Sequence, residues 1–314
     1  MYSYSFWSLS NKRALNHHQA HAALLAVANP NKVEFQAGFF KTGKGQYAEG
    51  DRFLGITVPA IRQLARQFRQ LGLKDCERLL QSAYNEERLL ALLILVEQYR
   101  KGDVGVKDKV YQVDLNNRHR VNNWNLVDSS APYIVGAHLL QQDRSLLYQL
   151  AQSRSLWDRR IAVLATFAFI RSGDFADTLK LTEQLLGDEH DLMQKACGWM
   201  LREVGKRNQS VLECFLRQHY AVMPRTMLRY AIERFAPAKR TGYLTGKIRR
   251  CSAAFPGQPH CLAIARATSL KLVIRHLAPS PTNEARRCSF AAACGPRRAR
   301  RIAAIRFSAS CLFI

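Results

Sequence analysis

The amino-acid sequence predicts an all-α fold, an α-solenoid of degenerate HEAT-like repeats, on three observations. Apolar residues over 1–248 recur at the helical period, with no convincing strand alternation. Helix start and stop residues punctuate that pattern at short intervals. Two segments, 89–99 and 161–170, are apolar nearly all round, so each needs cover on more than one side, which stacked antiparallel helix pairs supply. No crisp repeat is visible. An irregular helical bundle is therefore the alternative architecture.

The elements justify themselves in order. Pro59 suits the first turn of a helix that places Ile61, Leu64, Ala65, Phe68 and Leu71 on one stripe, with Arg62, Arg66 and Arg69 opposite. Asn85 can cap a helix whose first turn holds Glu86 and Glu87. Asn122 or Asn123 can cap the segment opening with Trp124, and Ser155 the one containing Ile161, Leu164 and Phe167. Gly173-Asp174 and Gly187-Asp188 look like a helix stop followed by a new cap. Pro224 opens what reads as the last amphipathic helix, 227–235. About a dozen helices of roughly 10–17 residues result.

Composition narrows the function. The 314 residues hold 47 Lys+Arg against 24 Asp+Glu, a net charge of +23. Residues 249–314 carry 12 of the basic residues and one acid, Glu284, so 1–248 is still at +12. Such a surface attracts polyanions, nucleic acid above all. No apolar run approaches about 18 residues, so no membrane span is expected. The start lacks a basic, then apolar, leader, so no secretory signal is expected and a cytoplasmic, nucleoid-associated location is. Cys76, Cys197 and Cys214 are scattered and fit a reducing compartment. Three domains are expected: an extension at 1–14, a helical domain at 15–248, and a basic, disordered extension at 249–314, rich in Arg, Ala, Ser and Cys.

Two motifs fall away. Residues 38–45, Gly-Phe-Phe-Lys-Thr-Gly-Lys-Gly, nearly spell a phosphate-binding loop, but Gly45 stands where a magnesium-holding Ser or Thr is needed. The segment reads as a connector whose Lys41 and Lys44 can meet phosphates. His17 and His21 stand at i, i+4 with His18 between them, yet no Cys or carboxylate nearby completes a set of ligands. Neither a metal nor a cofactor is expected.

Three tryptophan neighbourhoods carry chemistry. In Asn122-Asn123-Trp124-Asn125-Leu126-Val127-Asp128, an aromatic plate and a carboxylate fall at i, i+4 on one face near a helix N-terminus, where an ionised acid is favoured. In Trp157-Asp158-Arg159-Arg160, Trp157 shares the core stripe, while Arg160 can pair a phosphate or orient a carboxylate bidentately. In the third, Lys195, Trp199, Arg202 and Lys206 fall at i, i+4, i+7 and i+11, a basic face with an aromatic in its middle. Gly198 allows another backbone close by. Each has a plainer reading: a buried tryptophan, a solvated acid, a surface arginine.

These segments in this order resemble the AlkD-type DNA alkylation repair family of HEAT-like repeat DNA glycosylases. The resemblance extends through Lys41-Thr42-Gly43, the run Gly50-Asp51-Arg52-Phe53-Leu54-Gly55-Ile56 and the segment 227–233, and ends near Ile248. It implies a C-shaped solenoid with a basic concave face that holds duplex DNA containing alkylated bases, acting as a monomer. It also implies hydrolysis of the N-glycosidic bond of cationic purines, 7-methylguanine and 3-methyladenine. By match, Asp128 takes the catalytic aspartate's place, Trp124 and Trp199 those of cleft tryptophans, Arg160 that of the cleft arginine and Tyr47 that of a cleft tyrosine. Lys41, Lys44, Tyr47, Arg159, Lys195, Arg202 and Lys206 are the expected DNA contacts. Asn125 stands where family members often have Asp, and it should face away from Asp128. The alternative function is a non-catalytic helical-repeat protein that binds DNA or senses lesions.

Overall fold

The computed structural model describes residues 15–248, so the expected extensions at 1–14 and 249–314 lie outside the described residues. Every regular element among those residues is helical. In chain order they are α1 (His17–Leu25), α2 (Val33–Phe39), α3 (Val58–Gln67), α4 (Leu73–Leu80), α5 (Asn85–Lys101), α6 (Val104–Asn116), α7 (Trp124–Ser130) and α8 (Val135–His138). Then come α9 (Ser145–Ala151), α10 (Leu156–Arg171), α11 (Ala176–Gln184), α12 (Asp191–Arg207), α13 (Gln209–His219), α14 (Arg225–Ala231) and α15 (Pro237–Leu244). Three short 3-10 turns accompany them.

Three long helices organise the stack. Helix α5 packs on α3, α4, α6 and α7. Helix α10 packs on α7, α8, α9, α11 and α12. Helix α12 in turn packs on α11, α13 and α14. The two segments expected to need all-round cover receive it: residues 89–95 of α5 and 161–166 of α10 are buried without a break. Each fully buried aliphatic side chain there contributes about 1.5–3 kcal/mol. Close approach is built in where the long helices meet shorter ones. A Cβ on Gly198 of α12 would lie 2.5 Å from the Met227 carbonyl oxygen of α14. One on Gly136 of α8 would lie 2.1 Å from the Ala165 carbonyl oxygen of α10. Neither position has room for a side chain.

The short helices were the least legible. Ser155 caps α10 and Asn123 caps α7 as expected. Asn85, however, is not a cap: Tyr84 holds that position, and the Asn85 side chain is buried and bonded to Asp51 and Asn125. Glu86 and Glu87 are also turned to tertiary partners rather than left to the helix dipole. One Glu86 oxygen accepts the amides of Leu54, Gly55 and Ile56 at 3.0–3.3 Å, and Glu87 pairs with His21. The segment at 227–235 is not the last helix. Helix α14 stops at Ala231, and α15 follows it, sealed by Tyr243, which packs edge-on against Tyr220 at 5.5 Å.

One buried acid has no charged partner. Asp114 on α6 is 4% exposed, and its Oδ1 atom lacks a hydrogen bond. Burial pushes its pKa up to about 7. The folded protein therefore keeps this proton to a higher pH than the unfolded chain does. The part of the stability that Asp114 supplies should be highest in acid, fall as pH rises from about 4 to about 7, and level off above that. Urea unfolding at pH 4.5 and pH 8 of the wild type and of Asp114→Asn measures it. The wild type should lose on the order of 3 kcal/mol more than the variant across that interval. Equal losses would show that Asp114 does not titrate there.

Candidate active site

Helix α7 begins at a residue whose side chain makes its own cap. The Asn123 Oδ1 atom accepts the Trp124 amide at 2.8 Å. Its Nδ2 donates to Asp51 at 3.2 Å. Trp124 and Asp128, one turn apart, are both partly exposed, while Asn125, Leu126 and Val127 between them are buried. The Asn125 amide donates to Asn85 Oδ1 at 2.7 Å, so it does point away from Asp128.

Asp128 is held by a residue 32 positions away. Arg160, 6% exposed at the side chain, donates from Nε to Asp128 Oδ1 and from Nη2 to Oδ2, both at 2.9 Å. Its third nitrogen, Nη1, donates to the Leu192 carbonyl at 2.5 Å. A planar guanidinium thus ties α7 to the first turn of α12 from its own place on α10. The turn it grips is itself capped by His190, whose Nδ1 accepts the Leu192 amide at 3.2 Å. That bond requires an unprotonated Nδ1, and burial lowers the His190 pKa accordingly.

An aromatic wall stands beside the carboxylate. Phe40 stacks on Trp124 with ring centroids 5.1 Å apart, and Phe39 meets it edge-on at 5.8 Å. Tyr47 meets Trp157 edge-on at 5.9 Å. Burial raises the Tyr47 pKa, opposed by its hydrogen bond with Trp124 and by the charges of Lys195 and Arg160. Tyr47, Trp124, Trp157, Arg160 and Lys195 therefore share one neighbourhood. Trp157, expected only as core, packs on the core and on this wall. Phe39 and Phe40 escaped the sequence reading because they sat inside a phosphate-loop look-alike. Their adjacency to Lys41 was the available signal.

The basic residues divide sharply. Lys41 and Lys44 are exposed and make no ion pair among the described residues. Lys195 pairs with Asp191 at 2.6 Å, which raises its pKa. Arg159 pairs with Asp188 at 2.7 Å. Lys206 and Arg207 share Glu203, which also accepts the Trp199 indole N–H at 3.3 Å. Arg202 is more buried than the other expected contacts. It is 7% exposed and pairs with Glu233, so its guanidinium takes part in the packing of α12. The periodicity that put it on one face with Lys195 could not foresee Glu233. The histidines on α1 take separate partners: His17 bonds Asp75 at 2.8 Å, and His21 bonds Glu87.

With this geometry in place, the comparisons with known proteins define the class. The model of the DNA alkylation repair enzyme family matches residues 20–235, more than two thirds of the sequence. The chain belongs to that family. A solved structure from Enterococcus faecalis, titled a predicted DNA alkylation repair enzyme, is similar in fold, with a TM-score of 0.50 at 18% identity. The match covers 67% of this chain and 97% of that one. No curated protein matches the sequence.

The division of the basic residues is testable by substitution. Arg202→Ala removes a buried guanidinium and its bond to Glu233 and opens a gap under α12, so its melting temperature should fall by several degrees. Replacing Lys41 and Lys44 with Ala should leave melting unchanged. It should flatten the salt dependence of duplex binding by about 1–2 units of slope. The reverse pattern would mean that Arg202 reaches phosphate and the loop lysines do not.

Proposed function

We propose that this family member is a DNA glycosylase that hydrolyses the N-glycosidic bond of cationic alkylated purines, 7-methylguanine and 3-methyladenine, in duplex DNA. The observation that supports this most is the Asp128 carboxylate. It is ionisable, partly open to solvent, fixed bidentately by Arg160 and set one helical turn from Trp124. A purine alkylated at N7 or N3 already carries positive charge and leaves readily. What the protein must supply is stabilisation of the oxocarbenium-like sugar left behind. A preorganised carboxylate does this and can orient the attacking water. The faces of Trp124 and Trp199 attract the same cation. The Arg160 clamp holds the carboxylate in one orientation, so little reorganisation is needed as charge develops.

The duplex would lie along the basic surface. Lys41 and Lys44 are the contacts free to bind at once, and Lys195, Arg159 and Lys206 contribute by exchanging a protein carboxylate for a phosphate. No cofactor or metal takes part in this scheme, and a monomer suffices for it. A second reading, binding without catalysis, draws on the fact that both Asp128 oxygens are already bonded to Arg160. Carboxylate oxygens have further acceptor capacity, so that bonding does not exhaust the group.

Asp128→Asn separates the two readings. It keeps the shape and removes the charge. Release of 7-methylguanine from methylated duplex should fall by at least about 10²-fold, with duplex affinity held within a few-fold. Base release at the wild-type rate would support the non-catalytic reading of this residue.

A further inference from the structure

Beneath α7 lies a buried polar cluster whose acid, Asp51, bonds none of the residues assigned to chemistry. Asp51, 4% exposed at the side chain, receives three donors. Arg88 Nη2 reaches Oδ1 at 2.6 Å, and the Asn85 and Asn123 amides each reach Oδ2 at 3.2 Å. Arg88, 1% exposed, also donates to the Ser82 carbonyl at 2.8 Å. Asn85 in turn accepts from Asn125 at 2.7 Å. The residues on either side of Trp124, Asn123 and Asn125, are thus both moored to this cluster, and Trp124 alone projects between them.

Helix α7 has seven residues, too few to hold its own geometry in water. Its orientation must come from its ends. The far end is gripped by Arg160 through Asp128. The near end is gripped by Asp51 through Asn123. A buried ion pair such as Asp51–Arg88 gives little net stability over an apolar pair of the same size. What an anion supplies here is direction: it takes several donors at once and fixes the angle of each.

We infer that Asp51 is a positioning residue for base release: through Asn123 and Asn85 it sets the rotation of α7, and so where the Asp128 carboxylate stands against the sugar. This rests on the glycosylase reading of Asp128. A displacement of about 1 Å in a catalytic group can cost on the order of 10²-fold in rate, so the cluster governs rate more than affinity.

The test is a swap within the full-length protein. Asp51→Asn removes the anion facing Arg88, and Asn123→Asp sets two carboxylates against each other. Combining them restores one acid, one amide and the α7 cap. Each single variant should lose at least about tenfold in single-turnover release of 7-methylguanine, with affinity for unmodified duplex within threefold. The swapped pair should recover to within about threefold of wild type. Asn123→Ser, which keeps a capping oxygen but loses the donor to Asp51, is the milder check should a single variant fail to fold. It too should slow release, by several-fold, at unchanged affinity. A second readout needs no activity: hydrogen exchange of amides 124–130 should quicken in each single variant and return toward wild type in the pair, while residues 89–95 of α5 stay protected. Variants with unchanged rates, or losses that the pair does not rescue, overturn the inference. If the wild type releases no base, the glycosylase reading fails instead, and the exchange pattern still decides whether Asp51 sets α7.

Discussion

The bidentate contact between Arg160 and Asp128 is the interaction on which the rest of the site depends. It joins three helices that are distant in sequence: α7 supplies the acid, α10 the guanidinium, and α12 the Leu192 carbonyl that takes the remaining donor. With Arg160 almost wholly buried and Asp128 partly open, the pair is asymmetric. Losing Asp128 to an apolar residue would strand the buried Arg160 guanidinium, at a cost of about 3–5 kcal/mol. A pair kept only for stability could be replaced by apolar residues. A carboxylate at the edge of an aromatic wall, with its guanidinium underneath, is better explained by a demand for negative charge at a fixed point.

The same logic arranges the surroundings. Trp124 is backed by Phe40 and flanked by Phe39 and Tyr47, so its position is set by packing on several sides. The long helices α5, α10 and α12 give the site its rigidity, with residues 89–95 of α5 and 161–166 of α10 buried without a break. Most arginines and lysines near the site already hold a protein carboxylate. Among the site's basic residues, Lys195, Arg159 and Lys206 are thus partly neutralised, while Lys41 and Lys44 are exposed and make no ion pair among the described residues. A duplex approaching this surface would compete with protein acids for several of its contacts.

How much of this was legible in the sequence follows from the range of each interaction. The i, i+4 spacing of Trp124 and Asp128, the caps Asn123 and Ser155, and the all-round apolar runs are local, and periodicity exposes them directly. The Arg160–Asp128 contact spans 32 positions. Spacing suggested only that Arg160 could orient some carboxylate, and the family resemblance placed both in one cleft. The Asn85 cap was misread, and the burial of Arg202 not foreseen, for one reason: each has a tertiary partner, Asp51 or Glu233, that propensity cannot reveal. Helix α15 was missed although Pro237 stands at its first helical position, where a proline marks a helix start.

The central claim is that Asp128 presents a fixed negative charge to a cationic sugar. Its most direct test is a comparison of affinities for two duplexes, one holding a positively charged aza-sugar and the other a neutral tetrahydrofuran in place of the same nucleotide. The wild type should bind the charged analogue at least about tenfold more tightly, as expected for a mimic of the transition state, and the preference should collapse toward unity in Asp128→Asn. Equal affinity of the wild type for the two duplexes, or a preference that survives the substitution, would contradict the account.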